Sequence, residues 1–150
     1  MKYSIIVPVY NRPDEVGELL ESLSNQTQKD FEVIIVEDGS VKTCKDVCDK
    51  YAGILALQYY NKENSGPGQS RNYGAERANG EWLIILDSDV VLPEGYLAAV
   101  DREIRGYGGT KVRRYEICFS AISFSARSIL VPPHLRTPVP RKIPPPVGGG

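Results

Sequence analysis

Residues 82–89 read WLIILDSD: five apolar residues, then three polar ones. An apolar run without alternation is the signature of a strand buried on both faces, as in a parallel sheet covered by helices. The abrupt change at Asp87 marks the strand's end. Asp87 and Asp89 are two apart, and alternate side chains of a strand point the same way. Two carboxylates so placed suit a hard cation such as Mg2+ or Mn2+, with phosphate oxygens completing its shell. Alone, the triplet reads more readily as a solvated turn or a helix cap. Its position after WLIIL favours the cation.

Working outward, the same pattern recurs. YSIIVPV (residues 3–9) and FEVIIV (31–36) are further buried strands, and ILALQYY (near 54–60) is another strand. Between them, Val16, Leu19, Leu20 and Leu23 repeat at helical spacing after Pro13, which predicts a helix over 13–25. A weaker helix is expected over 43–52, a further one over 69–79, and another from Pro93-Glu94. Strands alternating with helices imply an α/β fold whose mostly parallel sheet has helices on both faces.

The 150 residues suit one domain of ordinary composition, 41% hydrophobic and 25% charged. A net charge of −1 argues against a nucleic-acid or membrane-coating scaffold. That balance conceals an asymmetry: 9 Lys and Arg against 16 Asp and Glu in residues 1–100, but 9 against 3 in residues 101–150. Seven of the eleven prolines fall between Pro132 and Pro146, so residues 132–150 are not expected to build regular structure. The three cysteines, Cys44, Cys48 and Cys118, read as reduced thiols rather than a disulfide framework or a zinc site. No signal peptide or spanning segment is evident, which points to a cytoplasmic protein.

Ligands of open parallel sheets gather at the carboxyl ends of the strands, and every such end here carries polar groups. Tyr10-Asn11-Arg12 follows the first strand, Glu37-Asp38-Gly39-Ser40 the second, and Asn64-Ser65-Gly66 the third, with Arg71 just inside the next helix. Asp38 could accept a hydrogen bond from a base edge such as uracil N–H, or be an ordinary Asp-Gly turn. Tyr10 could stack on that base or be a partly exposed core residue. Arg71 could pair with a diphosphate, or with Glu76 or Glu81. Trp82 reads as core rather than as a sugar platform. No phosphate-loop lysine and no Gly-x-Gly-x-x-Gly are present, which disfavours an NTPase or a dinucleotide dehydrogenase. His134, the sole histidine, sits among the prolines and argues against a Ser-His-Asp arrangement.

Taken together, SIIVPVYNRPDEVGELLESLSNQT, FEVIIVEDGS, NSGPGQSRNYGAERANGEWLIILDSD and LPEGYL resemble the family 2 glycosyltransferases over about residues 3–100. The resemblance implies a GT-A (Rossmann-like) fold, a nucleotide-diphospho-sugar donor, most readily a UDP-sugar, and Mg2+ or Mn2+. By position, Pro8, Tyr10 and Arg12 would line the nucleotide pocket, Asp38 would read the base, and Arg71 would neighbour the diphosphate. Asp87 would touch the ribose or sugar and share the metal, with Asp89 its principal ligand. The acceptor would be a glycan or a lipid-linked glycan, and transfer would invert the anomeric centre. Such members usually work in bacterial surface-polysaccharide synthesis, at most peripherally at the inner face of the membrane. Other readings are a non-catalytic nucleotide-sugar-binding module and a sugar nucleotidyltransferase. The latter wants a Gly- and Lys/Arg-rich first loop, which Tyr10-Asn11-Arg12-Pro13 is not.

The resemblance also implies a catalytic base in a Glu-Asp-type motif well beyond the metal triplet. Residues 101–150 offer only Asp101, Glu103 and Glu116, and none stands in such a motif. Gly108-Gly109-Thr110 resembles a glycine turn of some members, but Lys111-Val112-Arg113-Arg114 departs from the pattern. The expected organisation is therefore a donor-binding domain over 1–108 and an atypical basic tail over 109–150, disordered or aberrant. The fold would be incomplete at its C-terminus, through truncation or a frame shift near residue 110.

Overall fold

A computed structural model of the chain describes residues 1–106 and 129–131. Its elements run β1 (Tyr3–Val9), α1 (Pro13–Ser24), β2 (Phe31–Asp38), α2 (Lys45–Tyr51), β3 (Leu57–Lys62), α3 (Pro67–Ala75), β4 (Trp82–Ile85), α4 (Tyr96–Gly106) and β5 (Ile129–Val131). The sheet order is β3-β2-β1-β4-β5. β1 pairs in parallel with β2 (Ile5 opposite Val33) and with β4 (Ile5 opposite Ile84), β2 in parallel with β3, and β4 antiparallel with β5. The expected mostly parallel α/β sheet is what the chain forms.

The apolar runs work because each face of the sheet has its own cover. Tyr3, Ile5, Val7, Val33, Ile35 and Ile84 form one core with Val16, Leu19, Leu20 and Leu23 of α1, Cys44 and Cys48 at α2, and Leu97 and Val100 of α4. On the opposite face α3 lies close to the sheet at Gly74: a Cβ there would stand 2.6 Å from Ile6 Cγ2 and 3.3 Å from Val36 Cγ2. Trp82 packs partly buried against the core, at the end of β4 away from Asp87, as a core residue would.

The boundaries differ from expectation where tertiary contacts override local pattern. Ile54 and Leu55 close α2 by donating to the Tyr51 carbonyl, so the third strand begins only at Leu57. β2 runs on to Asp38, because Glu37 and Asp38 continue its register against Asn61 and Lys62. α3 starts at Pro67 and stops at Ala75, and α4 starts at Tyr96 after a turn closed by Tyr96 N–H donating to Pro93 O (3.0 Å). β5 lies in a stretch where the sequence pattern gave no reason to place a strand.

The remaining expectations for the tail lie outside the described residues: the boundary near 108, Gly108-Gly109-Thr110, Glu116, Cys118, His134 and the basic residues beyond. Among the described residues no helix is long and apolar enough to cross a membrane.

Candidate functional site

The strand order reverses between β1 and β4, and the crevice beyond the strand ends at such a point is where ligands bind in this architecture. A cleft of about 430 Å³ opens there. Its walls include Pro8, Tyr10 and Arg12 from the end of β1, Asp38 from β2, Asn64 and Gly66 from the β3–α3 connection, Arg71 from α3, and Asp87, Ser88 and Asp89 after β4. All seven residues singled out in the sequence thus face one cavity.

Side-chain ties hold the loops together. Asn11 has φ 53, a left-handed conformation that asparagine tolerates. Its Oδ1 accepts from Val41 N–H (2.8 Å) and Lys42 N–H (3.0 Å), while its own N–H donates to Ser40 Oγ (2.8 Å). The first loop is thereby fastened to the second. Gly39, at φ 70, lets the second loop meet the third: a Cβ there would stand 2.7 Å from Asn64 N. Asn64 Nδ2 completes that junction by donating to Asp38 O (3.0 Å).

Asp38 is the knot. Its carboxylate accepts from Ser65 N–H and Gly66 N–H, each at 2.9 Å, and from Lys62 Nζ. Burial alone pushes the carboxyl's pKa up, but the Lys62 ammonium and the two N–H groups outweigh it and hold the group below the usual carboxylate range. Behind it, Glu37 is fully buried, and its Oε2 accepts from Cys44 N–H (2.9 Å), Cys44 Sγ (3.2 Å) and Tyr59 Oη (2.8 Å). The Cys48 contact, burial and Glu37 push the Cys44 thiol up, which makes it an inert structural thiol. Cys44 and Cys48 are both free and buried.

One alternative falls and one expectation is corrected. Arg71 pairs with neither Glu76 nor Glu81: its Nη2 lies 3.5 Å from Asp87 Oδ1, and Glu76 pairs with Arg77 instead. Strand alternation does not align Asp87 with Asp89 either, because β4 ends at Ile85 and Ser88-Asp89 forms a turn. The turn still brings both carboxylates to the cleft. Arg12 is exposed and lies 3.3 Å from Glu15 of its own helix, and Tyr10 is 53% exposed, open for a ring to stack on.

The donor set fits a hard divalent cation sharing its shell with a ligand. Asp87 and Asp89 offer oxygens, and among the described residues no three acidic, His or Cys side chains form a closed metal cage. Mg2+-type sites use one or two carboxylates and take the rest from phosphates and water. Arg71 Nε is buried without a hydrogen-bond partner, and its contact with Asp87 is long, so the guanidinium has donors left for an anion. The cleft therefore brings a buried carboxylate, a guanidinium with free donors and a pair of carboxylates to one cavity. Sequence reasoning missed Lys62 and the tying role of Asn11. The one available signal was Lys62 standing opposite Asp38 in the β2–β3 register.

Comparison with known proteins gives the family. The family model described as "Glycosyl transferase family 2" matches residues 4–119. The poly(ribitol-phosphate) beta-N-acetylglucosaminyltransferase TarS of Staphylococcus aureus is 39% identical over 93 residues, covering 59% of this chain and 16% of TarS. The crystal structure of TarS 1-349 in complex with UDP-GlcNAc superposes with a TM-score of 0.68 at 31% identity, over 77% of this chain and 38% of that one. The mannosyltransferase PcManGT from Pyrobaculum calidifontis, in complex with GDP-Man and Mn2+, gives a TM-score of 0.61 at 28% identity, over 65% of this chain and 30% of that one. The chain thus spans well under half the length of these relatives.

Proposed function

The chain belongs to the family 2 glycosyltransferases, and from that membership we propose that its cleft holds a nucleotide-diphospho-sugar, a UDP-sugar foremost, together with Mg2+ or Mn2+. The observation that carries the reading is the convergence of four strand-end loops on one cavity, whose lining combines an exposed aromatic ring, a guanidinium and three carboxylates. Tyr10 offers a ring face to the base and Asp38 an acceptor for its N–H. Pro8 and Arg12 line the same end. Arg71 donates to the diphosphate, and Asp87 and Asp89 hold the cation. When bound, that cation would neutralise charge on the departing nucleoside diphosphate. The relatives' bound ligands, UDP-GlcNAc in one and GDP-Man with Mn2+ in another, support the ligand class and leave the base open.

Transfer by this family would join an acceptor hydroxyl to the anomeric carbon as the bond to the diphosphate breaks, with inversion. The hydroxyl's proton needs a base. Asp38, Asp87 and Asp89 are the carboxylates of the cleft among the described residues, and all three are committed to other work. That favours one second reading, a module that binds the donor without transferring its sugar. An acceptor that is a glycan or a lipid-linked glycan, met at the inner face of a membrane, completes the proposal.

A thermal-shift panel tests it. UDP at about a hundred times its Kd should stabilise the native state by about 2.7 kcal/mol, and only with Mn2+ or Mg2+ present. Asp89→Ala should lose most of that shift. An equal shift in Asp89→Ala, or in wild type with chelator, would remove the metal from the reading. Radiolabelled sugar transfer to a supplied acceptor separates enzyme from binding module.

A further inference from the structure

Lys62 is a residue to which neither the motifs nor the comparisons assign a role, and its surroundings are those of a fixed part. It ends β3, directly opposite Asp38 in the parallel register. Its ammonium has three N–H groups, and three acceptors take them: Asp38 Oδ1, Ser65 Oγ (2.6 Å) and Glu63 O (3.1 Å). The pair is shielded, with side-chain exposures of 14% for Lys62 and 6% for Asp38. An exposed lysine pair would be loose and weak, whereas this one is locked.

The consequence lies in what remains free on Asp38. A carboxylate has about four acceptor positions, two on each oxygen. On Oδ1, Lys62 Nζ and Ser65 N–H fill both; on Oδ2, Gly66 N–H fills one. Asp38 still borders the cleft. One acceptor position, on Oδ2, is left for a ligand. A base edge presenting a single N–H between carbonyls, as uracil does at N3, needs one acceptor. Guanine presents N1–H and the N2 amino group side by side and pairs best with both oxygens of a carboxylate. Here the second oxygen is taken.

We propose that Lys62 is the specificity-positioning residue of the base site: by occupying Asp38 Oδ1 it leaves a single acceptor, which selects uracil over guanine. The inference rests on the donor-site reading above. Lys62 touches no reacting atom. It acts through Asp38.

The test compares the binding of UDP, GDP and N3-methyl-UDP, each with Mn2+ at pH 8, to the full chain and to Lys62→Met. Methionine keeps the length of the side chain and removes the donor. Wild type should bind UDP at least about tenfold more tightly than either other ligand, the worth of one hydrogen bond to a charged group. In Lys62→Met the UDP-to-GDP ratio should fall to about threefold or less, because Oδ1 becomes available to the guanine amino group. A merely structural lysine would weaken both nucleotides and leave the ratio unmoved, and that result overturns the proposal. Should Lys62→Met fail to fold, wild type decides: equal binding of UDP and GDP, or of UDP and N3-methyl-UDP, overturns it. If wild type binds neither UDP nor GDP with Mn2+, the donor-site reading falls as well. UDP binding that depends on metal but ignores N3 methylation sinks the Lys62 inference alone.

Discussion

Glu32 is 3% exposed and, among the described residues, meets no cation. Burial pushes its carboxyl's pKa up, but the Ser4 hydroxyl, the Asn79 N–H, the Asn79 amide and the Gln58 amide all donate to it, and together they hold it below the usual carboxylate range. A group whose folded pKa is depressed contributes stability above its unfolded pKa, about 4.3 for Glu, and loses it as pH falls through the folded value. Glu32→Gln places an amide NH2 among those four donors and should cost about 1–3 kcal/mol at pH 7. Below the unfolded pKa the unfolded chain takes up a proton that folded wild type resists, so the gap between the urea midpoints of the two proteins should narrow as pH falls towards 3. A gap that stays constant from pH 7 to pH 3 would mean the ionised form contributes nothing. The same scale explains what the sequence could reveal of the site. Asp38, Arg71, Asp87 and Asp89 are legible because chemically able residues follow apolar runs. The ties of Lys62 and Asn11 are not, because their partners lie 24 and 30 residues away and only the strand register and loop packing bring them together.

At the scale of elements, α3 shows which effect wins when propensity and packing disagree. Gly74 sits within the helix, where alanine would gain about 1 kcal/mol of helix propensity. Its added Cβ, however, would lie 2.6 Å from Ile6 Cγ2, inside any real contact distance, and the sheet beneath is fully packed. Overpacking of that kind costs about 1–3 kcal/mol. Gly74→Ala should therefore lower the urea midpoint on balance, and by lifting α3 it should also displace Arg71 and weaken nucleotide binding. An unchanged or raised midpoint would show that the helix gives way without cost. The central strands and α1 were readable from apolar runs and 3.6-residue spacing, which burial on both faces imposes. The ends of α2, β3 and α3 were not, because hydrogen bonds such as Leu55 N–H to Tyr51 O (2.8 Å) set them. Three residues at Ile129–Val131 carry too little pattern to announce β5.

At the scale of the molecule, the sheet has two differently built ends. At the amino ends of the strands, the Glu32 network ties β2 to Ser4 of β1, to Gln58 of β3 and to Asn79 ahead of β4, with Gly80 N–H donating to Ser4 Oγ (2.8 Å). Its centre, Ser4 and Glu32, is buried, and the half-buried Gln58 and exposed Asn79 close it from outside. At the carboxyl ends, the loops around the cavity are fastened to one another by a few side-chain hydrogen bonds, chiefly those of Asn11 and Asp38. Local opening costs least where backbone hydrogen bonds are exposed and few apolar contacts back them. Hydrogen exchange in the free protein should therefore be slowest in β1 and β2. The Val41, Lys42, Ser65 and Gly66 amides, each held by one side chain, should exchange far faster. A ligand spanning the cleft stabilises only states in which all four loops are closed. UDP with Mn2+ should thus slow these amides together, and those of the Asp87–Asp89 turn with them, while leaving Asn79 and Gly80 at the opposite end unchanged. Protection confined to the Asp38 loops would describe a nucleoside pocket without a metal site. Uniform slowing of the whole domain would mean the loops open only when the sheet unfolds, and that the cleft is rigid before its ligand arrives.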